Sequence, residues 1–226
     1  MGQKISVNLF RAKQRMSNAT RNTDVTEQPK SVWFARGRDY SRLLLQDMAI
    51  RKYLYAKFKT AGLVEVIIKR YVRKVEIIIH TTKPGIIIGR QGSNINLLRE
   101  DLIRNFELPK DFKLNIEEFR DPMRSARVIA CEIDQALQKG VSYRRLAKNY
   151  LDKIRYSGIL GAKISLKGRL NGAEIARKED FAHGSIPRHT IDSQIDYCEI
   201  PCKTQAGIIG IKVWLYKGNK LTNFEN

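Results

Sequence analysis

At 226 residues, 42% of them hydrophobic, the chain is long enough for two ordinary domains and apolar enough to pack cores, which excludes wholesale disorder. Its 42 Lys and Arg against 23 Asp and Glu leave a net charge of +19, a self-repulsion that a polyanionic partner would relieve, nucleic acid being the commonest. No apolar run approaches the roughly 20 residues of a membrane-spanning helix, no secretion signal opens the chain, and the short Gly2-to-Ser6 myristoylation pattern would anchor only marginally, so no membrane partner is expected.

In chain order, residues 1–40 are basic and polar, lack a periodic apolar face, and read as a surface arm fastened at its end by Trp33 and Phe34. Ser41 to about Thr60 reads as a helix capped by Ser41 and ended by Gly62, with Leu43, Leu44, Leu45, Met48, Ile50, Tyr53 and Leu54 on its buried side. Two β-branched strands follow, Val64–Lys69 and Lys74–His80, and the second runs into a glycine-rich turn. A helix from Ser93 carries Ile95, Leu98, Leu102 and Ile103 on one side, and Phe112–Phe119 alternates as a strand with one wet face. Asp121-Pro122 marks a domain boundary. Beyond it come helices at about Arg124–Lys139 and Tyr143–Tyr156, ended by Gly140 and Gly158, then strands near Lys163–Arg169, Ala173–Phe181, Asp192–Pro201 and Gly207–Tyr216. The order predicts an α+β protein: an arm over 1–40, a first domain over 41–120, a second over 121–217 with two helices and a mainly antiparallel sheet, and a short tail over 218–226.

Gly85-x3-Gly89-x2-Gly92 lies between a strand and a helix, where glycines let a phosphate backbone approach unpaired N–H groups. The first gap is wrong for a dinucleotide fingerprint, and Gly92-Ser93 lacks the lysine of a Walker loop. Gly89-Arg90-Gln91-Gly92 does match the Gly-x-x-Gly loop of the K-homology domain, which clamps about four nucleotides of single-stranded backbone. A plain structural turn is the blander reading. The element order, with its extra helix and strand in front, resembles the type II K-homology arrangement.

Laid out at about 100° per residue, the helix after Gly140 places Tyr143, Leu146, Ala147, Tyr150, Leu151 and Ile154 on one apolar side. Arg144, Arg145, Lys148 and Arg155 fall together beside it, with Asp152 among them, as either a solvated face or a row facing RNA. The three cysteines, Cys131, Cys198 and Cys202, are too few for a disulfide scaffold. His183, His189, Cys198 and Cys202 could be written as zinc ligands. However, Cys198 and Cys202 are four apart on a strand, about 13 Å end to end, which suits packing better than a shared metal. Glu179-Asp180 reads as an ordinary pair of surface acids. No carboxylate cluster or Ser/His/Asp set supports a nuclease or lyase, so no catalytic residue, metal, cofactor or small-molecule substrate is expected.

Three stretches carry a family resemblance. Met1-Gly2-Gln3-Lys4 and Pro84-Gly85-Ile86-Ile87-Ile88-Gly89-Arg90-Gln91-Gly92 are similar to the family of the third protein of the small ribosomal subunit. The most specific block is Gly168-Arg169-Leu170-Asn171-Gly172-Ala173-Glu174-Ile175-Ala176-Arg177. Gly184-Ser185-Ile186-Pro187, His189-Thr190, Ile195-Asp196-Tyr197 and Gly207-Ile208-Ile209-Gly210-Ile211-Lys212-Val213-Trp214 follow at family-like spacing, so the resemblance covers roughly 41–217. It implies a non-enzymatic ribosomal protein at the messenger RNA entrance of the small-subunit head. The second domain would bind small-subunit rRNA, with Lys163, Lys167, Arg169 and Arg177 as candidate contacts. Small-subunit proteins two, ten and fourteen would be its neighbours. Tyr143-Arg144-Arg145-Leu146-Ala147-Lys148 resembles the family segment whose cations line the entrance and help open structured messenger RNA, a role carried to Arg144, Arg145 and Lys148. The implied location is a ribosome of bacterial cytoplasm, mitochondrion or plastid, without a transit peptide. The chain departs from the family pattern over 6–40, at Lys163-Ile164 (no glycine after the lysine), at Arg188 (usually leucine), and at Lys203–Ala206 (no aromatic). That drift suggests a reduced or organellar lineage.

Overall fold

A computed structural model describes residues 7–11, 30–71, 74–106, 108–109 and 111–219. They fall into two compact units, one within 27–120 and the other within 121–226 joined by the start of the chain.

The first unit is built on a four-stranded sheet in the order β1-β2-β3-β4, comprising β1 (Ser31–Val32), β2 (Leu63–Arg70), β3 (Val75–Thr81) and β4 (Lys113–Glu118). The β2–β3 pair is antiparallel, and β1 and β4 add parallel edges. Helices Arg38–Lys57 and Ser93–Phe106 supply Ile50, Leu54, Leu98 and Leu102, which pack on Val66, Ile68, Ile77 and Ile79.

Helix Arg38–Lys57 starts three residues before Ser41, whose hydroxyl donates to the Arg38 carbonyl rather than capping. Its buried line runs through Asp47, Ile50 and Leu54, while Leu44, Leu45 and Met48, expected inside, are exposed. The cause is polar. Asp47 is fully buried; its Oδ1 accepts from Arg70 Nε (2.9 Å) and Nη2 (2.6 Å), and its Oδ2 from Ser31 Oγ (3.0 Å) and Trp33 Nε1 (2.8 Å). A buried carboxylate needs such partners, so Asp47 sets the rotation of the helix. Trp33 thus fastens its segment as expected, whereas Phe34, expected to do the same, is 81% exposed.

In the second unit two helices, Ala126–Gln138 and Tyr143–Tyr156, cover one face of an antiparallel sheet ordered β6-β5-β8-β7. Its strands are β5 (Gly161–Gly168), β6 (Arg177–Gly184), β7 (Ser193–Thr204) and β8 (Gly207–Asn219). Alternation along β8 sends Ile209, Ile211, Val213 and Leu215 into the core with Ile129, Ile133, Ala162, Ile164 and Leu166. Ser125 stands at the N-cap of the first helix but makes no capping bond; Asp196 Oδ2, reaching from β7, accepts the Ala126 N–H at 2.9 Å. The strand expected from Ala173 begins only at Arg177, because Leu170–Gly172 forms a single helical turn with Asn171 left-handed.

Residues 7–11, read from sequence as part of a surface arm, belong to this unit. Val7–Phe10 is one helical turn, and Arg11, 4% exposed, donates to the carbonyls of Arg188 (3.0 Å), Thr190 (2.9 Å) and Ser193 (3.0 Å). A guanidinium offers five donors, so one side chain ties down a loop whose backbone oxygens would otherwise go unpaired.

Candidate nucleic-acid interface

The two surfaces predicted to meet RNA lie in different units. In the first, Pro84–Ile88 forms a short helix started by its proline and stopped at Gly89. Gly89 (φ 73°, ψ −179°), Gln91 (φ 52°) and Gly92 (φ 77°) then reverse the chain into helix Ser93–Phe106. Gly89 sits in a region open essentially to glycine alone, and an added Cβ would lie 2.6 Å from Asn94 Cγ. Asn94 Nδ2 donates to the Ile86 carbonyl at 3.2 Å and closes the turn from the other side. Arg90 and Gln91 are exposed at the tip. Gly89 and Gly92 are therefore required by backbone geometry, and the loop presents one exposed cation, Arg90.

The second surface is helix Tyr143–Tyr156. Tyr143, Leu146, Ala147 and Ile154 are buried and Tyr150 and Leu151 pack on the same core, as the helical spacing predicted; Arg144, Arg145 and Lys148 are exposed. The three cations differ in their surroundings. Arg144 is clamped to Glu179 on β6, Nη2 to Oε1 at 2.9 Å and Nε to Oε2 at 3.3 Å, and Tyr143 Oη donates to the same Oε1 at 2.7 Å. The Arg144 guanidinium, helped by the Tyr143 hydroxyl, holds the Glu179 carboxyl below the usual range. That carboxylate in turn raises the Tyr143 hydroxyl. Among the described residues no acid pairs with Arg145 or Lys148.

The opposite, open face of the sheet holds Lys163 and Lys167, alternating on β5 with the core residues Ala162, Ile164 and Leu166. The structure does not bring these two lysines together with Arg144, Arg145 and Lys148. Lys163 Nζ lies 2.9 Å from Asp180 Oδ2, as does Lys178 Nζ, and Ser165 Oγ donates to Oδ1 at 2.6 Å. Burial pushes the Asp180 carboxyl up, but these donors outweigh it and hold the group well below the ordinary range. Lys167 is exposed, with no acid partner among the described residues. Arg169 Nε donates to the Ala173 carbonyl at 2.9 Å, and exposed Arg177 opens β6 opposite Gly168.

Sequence reasoning missed Glu179 and Asp180. Alternation already assigns adjacent strand residues to opposite faces, but which cations each meets depends on packing between elements far apart in the chain, 35 residues for Glu179 and Arg144. Of the residues weighed as zinc ligands, Cys202 is buried in the core with its Sγ 3.7 Å from the Asp134 carbonyl.

Comparison with known proteins agrees with both units. Residues 49–124 match the KH domain family, and residues 133–215 match the family described as ribosomal protein S3, C-terminal domain. The chain is 39% identical over 221 residues to small ribosomal subunit protein uS3 of Polynucleobacter asymbioticus, covering 98% of this chain and 76% of that protein. It is 42% identical over 191 residues to uS3 of Vesicomyosocius okutanii, covering 84% and 82%. Over 197 residues it is 39% identical to uS3c of Pyropia yezoensis, covering 87% and 86%. The resemblance drawn from the Gly168–Arg177 block thus holds, and the chain belongs to the uS3 family of small-ribosomal-subunit proteins, a structural, non-enzymatic family with an N-terminal K-homology domain.

Proposed function

We propose that this protein is a structural constituent of the small ribosomal subunit, binding rRNA in the head and lining the entrance through which messenger RNA is drawn. It works on ribosomes of the bacterial cytoplasm or an organelle. The observation that carries the reading is the helix Tyr143–Tyr156, anchored by one apolar face while Arg144, Arg145 and Lys148 stay in water beside it. Fixed cations on a rigid element attract phosphates without reading bases, which suits a strand of any sequence. Such a row holds the incoming strand while translocation supplies the work of opening structure, and this chain needs no hydrolytic site. The Gly89–Gly92 loop and the cations Lys163, Lys167, Arg169 and Arg177 are the proposed contacts to RNA elsewhere. Small-subunit proteins two, ten and fourteen are the proposed neighbours.

Sedimentation of lysate in moderate and high salt tests the first part: stoichiometric comigration with the small subunit is expected, and a large free pool would defeat it. For the entrance, ribosomes carrying Arg144, Arg145 and Lys148 all replaced by Ala are expected to slow at a strong hairpin placed just ahead of them. Unchanged speed would remove the unwinding role and leave the structural one.

A further inference from the structure

The second unit holds a cleft of about 300 Å³, at the lower end of the range for ligand pockets and so fitted to one small ring system. Three turns rim it: the link between its two helices, the single helical turn Leu170–Gly172, and the hairpin joining β7 to β8. The floor is apolar, with buried Leu137 and Ile209, and no Asp or Glu lines the cleft. Its rim carries two exposed cations, Lys139 and Arg169, and the exposed amides of Asn171 and Gln205. Among the described residues neither amide has a hydrogen-bond partner and neither cation pairs with an acid. Arg169 is braced: its Nε donates to the Ala173 carbonyl at 2.9 Å, and its Cδ would lie 3.7 Å from a Cβ added at Gly207. Its terminal nitrogens are thus held ready for an anion.

These parts match the parts of one nucleotide. A flat base covers an apolar floor, its edge of alternating donors and acceptors suits side-chain amides, and its phosphates suit cations with no carboxylate competing for them. An acidic peptide would use the cations and leave the floor and both amides without partners. We propose that the cleft captures a single unstacked nucleotide of an RNA strand, with its base over Leu137 and Ile209, its edge on Asn171 and Gln205, and the flanking phosphates on Lys139 and Arg169. The proposal rests on the RNA-binding reading above and adds to it a place where a base, and not only the phosphate backbone, is held.

The test compares binding of the full chain to labelled oligouridylate and to an oligomer of equal length with tetrahydrofuran spacers in place of its bases. The chain is expected to prefer oligouridylate by about tenfold or more, the worth of one held base. A206L, which fills the cleft from half-buried Ala206, and N171G, which removes an amide where the backbone is left-handed (φ 55°), are each expected to cut that preference severalfold. Neither is expected to change affinity for the spacer oligomer. R169Q, by contrast, is expected to weaken both oligomers and to flatten the slope of log Kobs against log salt by about 0.7. Thermal unfolding checks each fold; should A206L fail to fold, N171G, which relieves the left-handed position, still decides. Equal binding of the two oligomers, or a preference that A206L and N171G leave intact, would overturn the nucleotide site and leave phosphate binding elsewhere standing. Free uridine monophosphate competing as well as the oligomer would overturn the assignment to an RNA strand. Binding of neither oligomer would overturn both the site and the RNA-binding reading.

Discussion

Replacing Asp47 with Ala isolates the polar joint of the K-homology unit. The substitution leaves the Arg70 guanidinium, its side chain 9% exposed, without the carboxylate oxygen that two of its nitrogens contact. It also strips the acceptor from Ser31 Oγ and Trp33 Nε1. Removing one partner of a buried ion pair costs about 3–5 kcal/mol, since an uncompensated charge stays behind. Against a domain stability of about 5–15 kcal/mol the unit stays folded but opens far more often. Native-state hydrogen exchange reads this directly. At about 1.4 kcal/mol per decade, amides of β2 and β3 are expected to exchange between a hundredfold and several thousandfold faster, on the order of two to three and a half decades. Amides of β8, in the other unit, serve as the internal reference and are expected to be unchanged. D47L/R70M, which removes both charges, is expected to recover most of the loss, because an apolar pair of similar volume is often no less stable than a buried ion pair. Acceleration below about fivefold (about 1 kcal/mol), or equal acceleration in both units, would refute the assignment of Asp47 as the joint.

Further outcomes follow from four single sites. G89A is expected to destabilise the K-homology unit by about 1–3 kcal/mol through its backbone region, with Asn94 displaced as well. By contrast G85A, in a helix and with open space around its Cβ, is expected to be neutral or stabilising by up to about 1 kcal/mol; denaturant midpoints decide both. His80 is 5% exposed, and burial, with Lys69 adding to it against the pull of Glu117, keeps its pKa below the ordinary 6.5. Above that value the imidazole is neutral folded or unfolded; below it the unfolded chain takes the proton first. Stability of the K-homology unit is therefore expected to fall as pH drops beneath about 6.5, and H80Q to flatten that limb of the profile. Burial, with Asp134 adding to it, pushes the Cys202 thiol up to about 12, so Cys202 is expected to alkylate only as the fold opens, after half-buried Cys131 and Cys198; peptide mass mapping of a labelling time course gives the order.

What could be read from the chain follows the range of the forces involved. The faces of helix Tyr143–Tyr156 were legible because a strong 3.6-residue period of apolar side chains is a local record of burial. The strands β5 and β8 were legible from the alternation of apolar and other residues along them. Helix Arg38–Lys57 was placed but wrongly rotated, because its innermost side chain is a carboxylate whose partners, Arg70, Ser31 and Trp33, come from other elements. Two-residue β1 and one-turn Val7–Phe10 are too short for any period to show. Their places are fixed by Asp47 and by Arg11, each a single polar side chain meeting distant partners. The short helix Pro84–Ile88 hid in a β-branched run that favours strands, and its proline is tolerated only because it occupies the first turn. For the candidate interface, the exposure of Arg144, Arg145 and Lys148 was legible and their partners were not, since an ion pair such as Arg144–Glu179 depends on how the helix packs on the sheet.

That division bears on how a chain of net charge +19 stays folded. If its acids were spread evenly over the surface they would dilute the positive field and contribute little to stability, because exposed pairs are worth about 0–1 kcal/mol each. Several instead sit at joints: Asp47 between helix and sheet edge, Asp196 at the start of helix Ala126–Gln138, Glu179 between helix and β6, and Asp180 between β5 and β6. Placed there, a carboxylate ties elements together and leaves the field on the remaining surface unneutralised. The same acids thus hold the fold and shape where its surface stays positive, and substituting one changes both the stability of a joint and the local charge around it.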